Sequence, residues 1–317
     1  YLGQPLDFNA TAHHTFDAEN LDESDQRHVW VPFHFLPGNE GSSFTERLIC
    51  RKNSPIAQEM VSHYIKLANA PYAVELLGIA AHVYADTFSH YGFSGVSSRH
   101  NRVINDSWEF SNLEPDTEKY ILKRANDHKK EFWTEVGGLI RNIKSIGAEL
   151  ASGALGHGAV LTFPDRPYLE WKFDYELPEP RTVSRPNPTT FMEGCEALHS
   201  MFHRFADARP RLAENEGNNF NVIRGQVTEV IKKQGPMNVR IQAWQEAAQS
   251  GTLFVSGAEP IPTYDPSDWL DELKEMKGKE NSSSALGVPV FRFFQAASLH
   301  RHYILRELLP KHGLVVA

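Results

Sequence analysis

Apolar residues recur at helical spacing along most of the chain. Between Thr45 and Ala70, for example, Ile56, Met60 and Tyr64 lie four residues apart and therefore fall on one helix face. Similar periods predict further helices over residues 72–91, 115–133, 139–150, 190–208, 219–233, 239–249, 267–276 and 290–309. Prolines at positions 71, 210 and 310 end three of these helices, because proline lacks an N–H and clashes with the preceding turn.

The stretches between the helices carry their own signals. The stretch from residue 92 through Trp108 is predicted to be irregular, and the polar residues 277–284 are predicted to form a loop. Thr190 and Glu193 have the spacing of a capping box, which predicts that a helix begins there. The whole pattern predicts a mainly α protein, with residues 1–317 forming a single compact multi-helix domain.

Residues 164–188 interrupt this helical pattern. Six prolines among these 25 residues exclude a long helix. Within the segment, apolar and charged residues alternate strictly, as in a half-buried strand. The apolar positions are Leu169, Trp171, Phe173 and Tyr175. The segment is therefore predicted to form an extended Pro-rich arm or a short β-hairpin.

Composition and charge limit the classes of partner. The chain has 317 residues, of which 41% are hydrophobic and 23% charged, so it can bury a sizeable core. Its net charge of −8 provides no basic surface for an extended nucleic-acid duplex. No stretch approaches the roughly 18 apolar residues of a membrane span, and none is expected. The start of the chain does not resemble a signal peptide.

Cysteine usage leaves localisation open. Cys50 and Cys195 lack CxxC spacing and do not form a disulfide framework. This is compatible with a cytoplasmic location, which we favour. The chain opens with Tyr1 rather than Met, so targeting information can have been lost from its N-terminus.

A stripe of ligand-type side chains lies within the helix predicted over residues 72–91. His82, Asp86 and His90 are spaced by four residues, and each step drifts only about 40° around a helix. All three side chains are good ligands for zinc or another divalent transition metal. A metal-free polar network is the alternative. Because the stripe spans two turns, either further ligands come from elsewhere or the stripe serves two adjacent ions.

Other segments offer candidates for the rest of the site. His157 lies between two glycines, where the backbone can approach a ligand closely, although a turn with an incidental histidine is equally compatible. Asp165 and Arg166 follow in a Pro-flanked segment, where Asp165 could orient a histidine or pair with Arg166. Upstream, His34 is predicted to lie in an extended, proline-flanked segment, either facing the site or packed in the core.

Three blocks resemble those of a family of uncharacterised bacterial proteins, the DUF6765 type. They are VPFHFLPG at 31–38, the HxxxDxxxH helix at 82–90, and the GHG to PDRP segment at 156–167. The resemblance covers roughly residues 12–175, with weaker similarity in the last helix. It implies no activity, because none is established for the family.

A looser resemblance points to chemistry. The HxxxD helix followed by another histidine is similar to the zinc-dependent phospholipase C and P1 nuclease superfamily, whose all-helical members cleave phosphodiesters with a metal cluster. This likeness implies that His82, Asp86 and His90 are ligands, and that His157 and His13 complete the cluster. Those enzymes also use their N-terminal residue and an early aspartate, and DUF6765-type proteins usually start with an acidic DxDFHY-like segment that this chain lacks. Either that part is missing from this chain or the number of metal ions is lower.

Two functional hypotheses follow. The first is a metal-dependent hydrolase of a small phosphoester or phospholipid, in which a zinc-like ion activates water. The sequence contains neither a serine nucleophile elbow nor a phosphate-binding glycine loop, so it gives no indication of a competing mechanism. The second hypothesis is a non-catalytic protein in which a metal or polar cluster fixes the helices and the Pro-rich arm binds a partner.

Overall fold

The computed structural model describes residues 10–12, 23–137, 155–176, 181–212, 217–254, 260–262, 265–277 and 288–316. The helices in the first half of the chain are α1 Glu23–His28, α2 Trp30–Phe33, α3 Phe44–Arg47, α4 Pro55–Lys66, α5 Ala73–Ser89 and α6 Pro115–Gly137. Those in the second half are α7 Asn187–Ala208, α8 Phe220–Ile231, α9 Met237–Gln249, α10 Pro266–Lys277 and α11 Pro289–His302. The last helix continues as a π-helix over Tyr303–Leu308 and ends in a turn, α12 Leu309–Lys311.

Helix α5 lies at the centre of the helical body and carries the candidate metal stripe. It packs against α4, α7 and α11. Its buried face presents Leu76, Ile79 and Val83 to a cluster of side chains that we call the helical core. His82 lies outside this face, and its side chain is 54% exposed. The stripe therefore lies at the edge of the core.

Three antiparallel strands form a small sheet in the order β1 Val103–Ser111, β2 Glu170–Tyr175 and β3 Arg181–Pro186. Trp171, Phe173 and Tyr175 of β2 are buried, so the alternation read from the sequence is confirmed. These rings pack with others in a second cluster, the sheet core, which also includes Phe35, Phe93, Trp108 and Phe163. Of the two predicted alternatives, the proline-rich segment thus contains the hairpin, and β1 extends that hairpin into a sheet.

The prediction of an irregular stretch through Trp108 is wrong for its last part, where β1 begins at Val103, whereas residues 92–102 contain only turns and a short 3-10 helix. The ladder to β2 shifts register between Ile104 and Glu109. Between these two positions β1 advances from Ile104 to Glu109 while β2 advances only from Asp174 to Lys172. This irregularity breaks the two-residue alternation, so the strand leaves no clean periodic signal in the sequence.

The helix predicted over residues 45–70 is interrupted. The structure has the short α3 and then α4, which begins at Pro55 with Ser54 as its N-cap. Pro at the first helical position after a capping serine is a strong start signal, and it outweighs the continuous apolar period.

The capping box predicted at Thr190 and Glu193 is also wrong. Helix α7 already begins at Asn187, and the Thr190 hydroxyl donates to the Asn187 carbonyl within the first turn. Glu193 instead pairs with Lys52. The helix predicted over 139–150 and the loop residues 278–284 lie outside the described residues. Within the part of the chain that is described, no helix is long and apolar enough to span a membrane.

A buried hydrogen-bond chain ties α2 to α4 and α11. His300 lies 2.8 Å from the Pro32 carbonyl through Nε2 and 2.8 Å from the Tyr64 hydroxyl through Nδ1. A carbonyl can only accept, so Nε2 carries the hydrogen and Nδ1 accepts from Tyr64. Burial lowers the pKa of His300 to about 4, so the ring stays neutral. This chain fixes the turn that precedes His34.

We expect His300 to make folding sensitive to acid. Its folded-state pKa of about 4 lies below the ordinary value of 6.5, so its stabilising effect is complete above pH 6.5 and is lost as the pH falls toward 4. His300→Gln should lower the free energy of unfolding by about 1–3 kcal/mol at pH 7.5, because two buried partners are left poorly satisfied. At pH 5 this deficit should shrink by about 2 kcal/mol.

Urea unfolding at both pH values measures the two deficits. His302→Gln is the matched control, since that histidine lies on the same helix but is exposed. Equal deficits at pH 7.5 and pH 5 for His300→Gln would show that the buried ring accepts a proton in the folded state.

Candidate metal centre

His34 reaches α5 from the turn after α2. Phe33 and Phe35 are both buried, the first in the helical core and the second in the sheet core. His34 lies between them as the C-cap of α2, with φ −131° and ψ −29°. The extended conformation predicted for this segment is wrong, because Trp30–Phe33 form a helical turn. The helical turn nevertheless places the His34 ring against the α5 stripe, where it contacts His82 and Asp86.

Three side chains meet at the exposed end of the stripe, and we call this group the outer triad. It contains His34, His82 and Asp86. His34 Nδ1 lies 3.2 Å from Asp86 Oδ2 and 3.2 Å from His82 Nε2, and His82 Nε2 lies 3.3 Å from Asp86 Oδ2. Ligand atoms that sit 2.0–2.1 Å from a tetrahedral zinc are about 3.3 Å apart. The outer triad therefore already has the spacing of three ligands on one ion.

A second group forms at the other end of the stripe, the inner triad. It contains His90, His157 and Asp165. His90 Nε2 lies 3.0 Å from Asp165 Oδ1, and His157 Nε2 lies 3.4 Å from Asp165 Oδ2. The His90 side chain is only 8% exposed, whereas Asp165 is 40% exposed. Each oxygen of one carboxylate thus faces a different imidazole, with an opening toward solvent beside Asp165.

Backbone carbonyls fix the hydrogen positions of three imidazoles. His34 Nε2 lies 2.9 Å from the Thr11 carbonyl, His90 Nδ1 lies 2.9 Å from the His34 carbonyl, and His157 Nδ1 lies 2.7 Å from the Leu161 carbonyl. Because a carbonyl only accepts, each of these nitrogens carries a hydrogen. In a neutral ring the other nitrogen then presents a lone pair to a carboxylate, which also only accepts. A proton or a metal ion must lie between them.

His90 connects the two triads. Its Nδ1 lies 3.6 Å from Asp86 Oδ2 and hydrogen-bonds the His34 carbonyl, while its Nε2 faces Asp165. Metal-binding histidines commonly donate their second ring N–H to a carbonyl or carboxylate in this way, which fixes the tautomer and the ring orientation. His90 therefore links the two triads, with a hydrogen bond to the His34 backbone on one side and one to Asp165 on the other.

The electrostatics of the site follow from burial and these carboxylates. Burial by itself lowers the pKa of His90, but Asp86 and the hydrogen bond to Asp165 outweigh it and raise that pKa to about 9. Burial likewise lowers the pKa of His157, and here the opposing effect of Asp165 is too weak to reverse the shift. Burial raises the pKa of Asp165, yet the two imidazoles dominate and hold it well below its usual range.

Glycine and a strained leucine shape the inner triad. Gly156 has φ +54°, and a Cβ on it would lie 2.4 Å from Phe35 Cζ. Leu161, whose carbonyl anchors His157, has φ +55° and ψ −138°, which is rarely adopted by a residue with a side chain. Such outliers occur where surrounding structure imposes them, often at functional sites. Here the strained carbonyl orients His157.

The structure brings together most of the residues singled out from the sequence. His82 and Asp86 enter the outer triad, while His90 and His157 enter the inner one. His34 and Asp165, predicted to be supporting residues, are members of the two triads. Arg166 lies elsewhere, donating to Tyr168, Tyr120 and Thr162. His13 lies outside the described residues, although Thr11 contacts His34.

Sequence reasoning missed the residues that orient the ligands. Thr11 and Leu161 act through backbone carbonyls, which leave no trace in side-chain chemistry. Arg185 on β3 donates to the Ser89 and Tyr91 carbonyls on either side of His90. Only the register of β3 against β2 brings this arginine there, so no local pattern could have identified it.

The fold and the site define a mainly helical protein that carries two triads, each with two imidazoles and one carboxylate. The chain belongs to a family of unknown function, DUF6765, whose family model matches residues 2–308. The match extends well beyond residues 12–175, where the recognisable blocks lie. No curated protein and no solved structure matches the chain.

We expect the backbone at Gly156 to be essential to the inner triad. Gly156→Ala should lower the free energy of unfolding by about 1–3 kcal/mol, because the added Cβ clashes with Phe35 and is strained at positive φ. Gly78→Ala is the matched control, since a Cβ there meets nothing within 4 Å and α5 should gain up to about 1 kcal/mol. Thermal and urea unfolding of both variants test this. Equal stability of Gly156→Ala and wild type would contradict the described turn.

Proposed function

We propose that this protein is a metal-dependent hydrolase of phosphoesters that binds zinc or another divalent transition metal in the outer and inner triads. The proposal depends on one observation: histidine nitrogens that carry no hydrogen lie opposite carboxylate oxygens, so that two hydrogen-bond acceptors face each other. The carbonyls of Thr11, His34 and Leu161 each hold one N–H of a histidine, so the second nitrogen of that ring points toward a carboxylate. Divalent ions are the usual occupants of such a site.

The ligand set supports zinc-like ions over calcium or magnesium. Each triad supplies two imidazoles and one carboxylate, whereas calcium and magnesium select oxygen ligands almost exclusively. Three protein ligands leave a fourth position for water or substrate, which is the arrangement of catalytic rather than structural zinc. The exposure of His82 gives the outer triad access to solvent.

Hydrolysis fits this arrangement better than other reactions. A divalent ion held by three protein ligands lowers the pKa of bound water toward about 7 and offsets charge on a phosphoryl oxygen. His90 holds the two triads in a fixed relation, since it contacts Asp86 through one nitrogen and Asp165 through the other. The looser likeness of the HxxxD helix to phospholipase C and P1 nuclease enzymes favours the same chemistry.

The substrate is expected to be small. The net charge of −8 disfavours a long polyanion, whereas a nucleotide or a phospholipid headgroup presents a single phosphodiester. The alternative, a non-catalytic protein whose metal only joins segments, predicts bound metal without turnover.

Removing a ligand of the outer triad should abolish turnover. Protein purified without added metal should contain about two equivalents of a transition metal by elemental analysis. It should also cleave a phosphodiester or phospholipid in a substrate panel. His82→Ala should lower kcat/KM about 100-fold or more, because this imidazole is one of the three proposed protein ligands of the outer ion. His302→Ala, at an exposed histidine of α11, should leave kcat/KM unchanged.

Two results would contradict the proposal in different ways. Protein that binds no divalent ion would show that protons, not metals, occupy both triads. Full metal occupancy with no turnover of any ester would support the non-catalytic alternative.

A further inference from the structure

Arg185 is a buried cation directly beneath the inner triad. Its side chain is 1% exposed, the largest among the fully buried side chains of the described residues. The guanidinium donates to the Tyr91 carbonyl at 2.5 Å and to the Ser89 carbonyl. It also lies 3.7 Å from the centre of the Tyr91 ring. Strand β3 thus supplies a positive charge to the C-terminal end of α5.

This cation has no anionic hydrogen-bond partner among the described residues, and its Nε has no hydrogen-bond partner at all. A buried charge is costly unless it is compensated. Here the compensation comes from the helix end, where the last carbonyls lack intrahelical partners and carry the negative end of the macrodipole. The cost of burying Arg185 is therefore offset in large part by its contacts with the end of α5 and with the Tyr91 ring.

The two carbonyls that Arg185 binds bracket a single residue, His90. Its own N–H donates to the Asp86 carbonyl at 2.7 Å, which makes it the C-cap of α5. Helix ends fray when their carbonyls lack partners, and a rotation of this peptide pair would swing the His90 ring. With both flanking carbonyls fixed, Nδ1 stays on the His34 carbonyl and Nε2 on Asp165.

We propose that Arg185 is a positioning residue for metal binding, which holds the backbone on either side of His90 so that Nε2 faces the inner triad. The proposal rests on the metal-binding part of the proposed function. Arg185 therefore acts on the inner triad through the backbone on either side of His90.

The same contacts would be present if Arg185 only anchored the sheet to the end of α5. The control must therefore separate this anchoring from the positioning of His90. Tyr175 on β2 donates to the Gly92 carbonyl at 2.8 Å, two residues beyond His90. Tyr175→Phe removes a buried link from the same sheet to the same segment and leaves the carbonyls of Ser89 and Tyr91 untouched. It is the matched control for loss of sheet-to-helix anchoring.

Cobalt binding provides a readout that anchoring alone would not change. The full chain carrying His82→Ala, which lacks an outer-triad ligand, is titrated with Co²⁺ against a competing chelator, and the visible absorption of the bound ion is recorded. In this background Arg185→Met should weaken Co²⁺ binding about 10- to 100-fold and alter the absorption spectrum, as loss of a ligand-orienting residue does. Tyr175→Phe should change affinity less than about 3-fold and leave the spectrum as it was.

Arg185→Lys guards against a failure of the methionine variant to fold. A lysine ammonium can reach one carbonyl but lacks the planar fork that binds both, so the Co²⁺ affinity of Arg185→Lys should fall between those of Arg185→Met and the His82→Ala parent.

Co²⁺ affinity and spectrum equal to the parent's in Arg185→Lys would overturn the proposal, as would an equal loss in Tyr175→Phe. Wild-type protein that binds neither Co²⁺ nor Zn²⁺ would overturn the proposed function together with this inference. Binding that is insensitive to Arg185 would overturn this inference alone.

Discussion

The pitch of helix α5 determines how the candidate site is divided. Residues four apart on a helix stay on one face but rise about 6 Å per step. His82 and Asp86 can therefore share one centre, whereas His90 lies a further turn along and cannot join them through the same atoms. The structure resolves this by completing each end of the stripe separately, with His34 at one end and with His157 and Asp165 at the other.

The inner triad lies where the two hydrophobic cores meet. Phe35 belongs to the sheet core and stacks on His90 with ring centres 4.7 Å apart, while His90 ends the helix that supports the helical core. Tyr175 and Arg185 reach the same helix end from the sheet. Because the residues of the site are packed against both cores, their positions are fixed from two sides. Such rigid support holds a polar cluster in one geometry.

The sequence predicted the part of the site that is local. The α5 stripe depends only on helical spacing, and the β2 hairpin depends only on alternation; both leave strong periodic signals. His34, His157 and Asp165 were recognisable as candidates, but their assignment to two triads depends on contacts between residues 48 to 75 positions apart. Arg185 and β1 were not predictable, since sheet register and a bulge position them.

The proposed metal ion would compete with protons for the same lone pairs. The carboxylates favour a proton on the imidazole between them, which is why the pKa of His90 is raised to about 9. An ion at His90 Nε2 would take the place of that proton, because the Nδ1 hydrogen is donated to the His34 carbonyl. Binding of the proposed ion would therefore release a proton, and the same carboxylates would stabilise either occupant of the site.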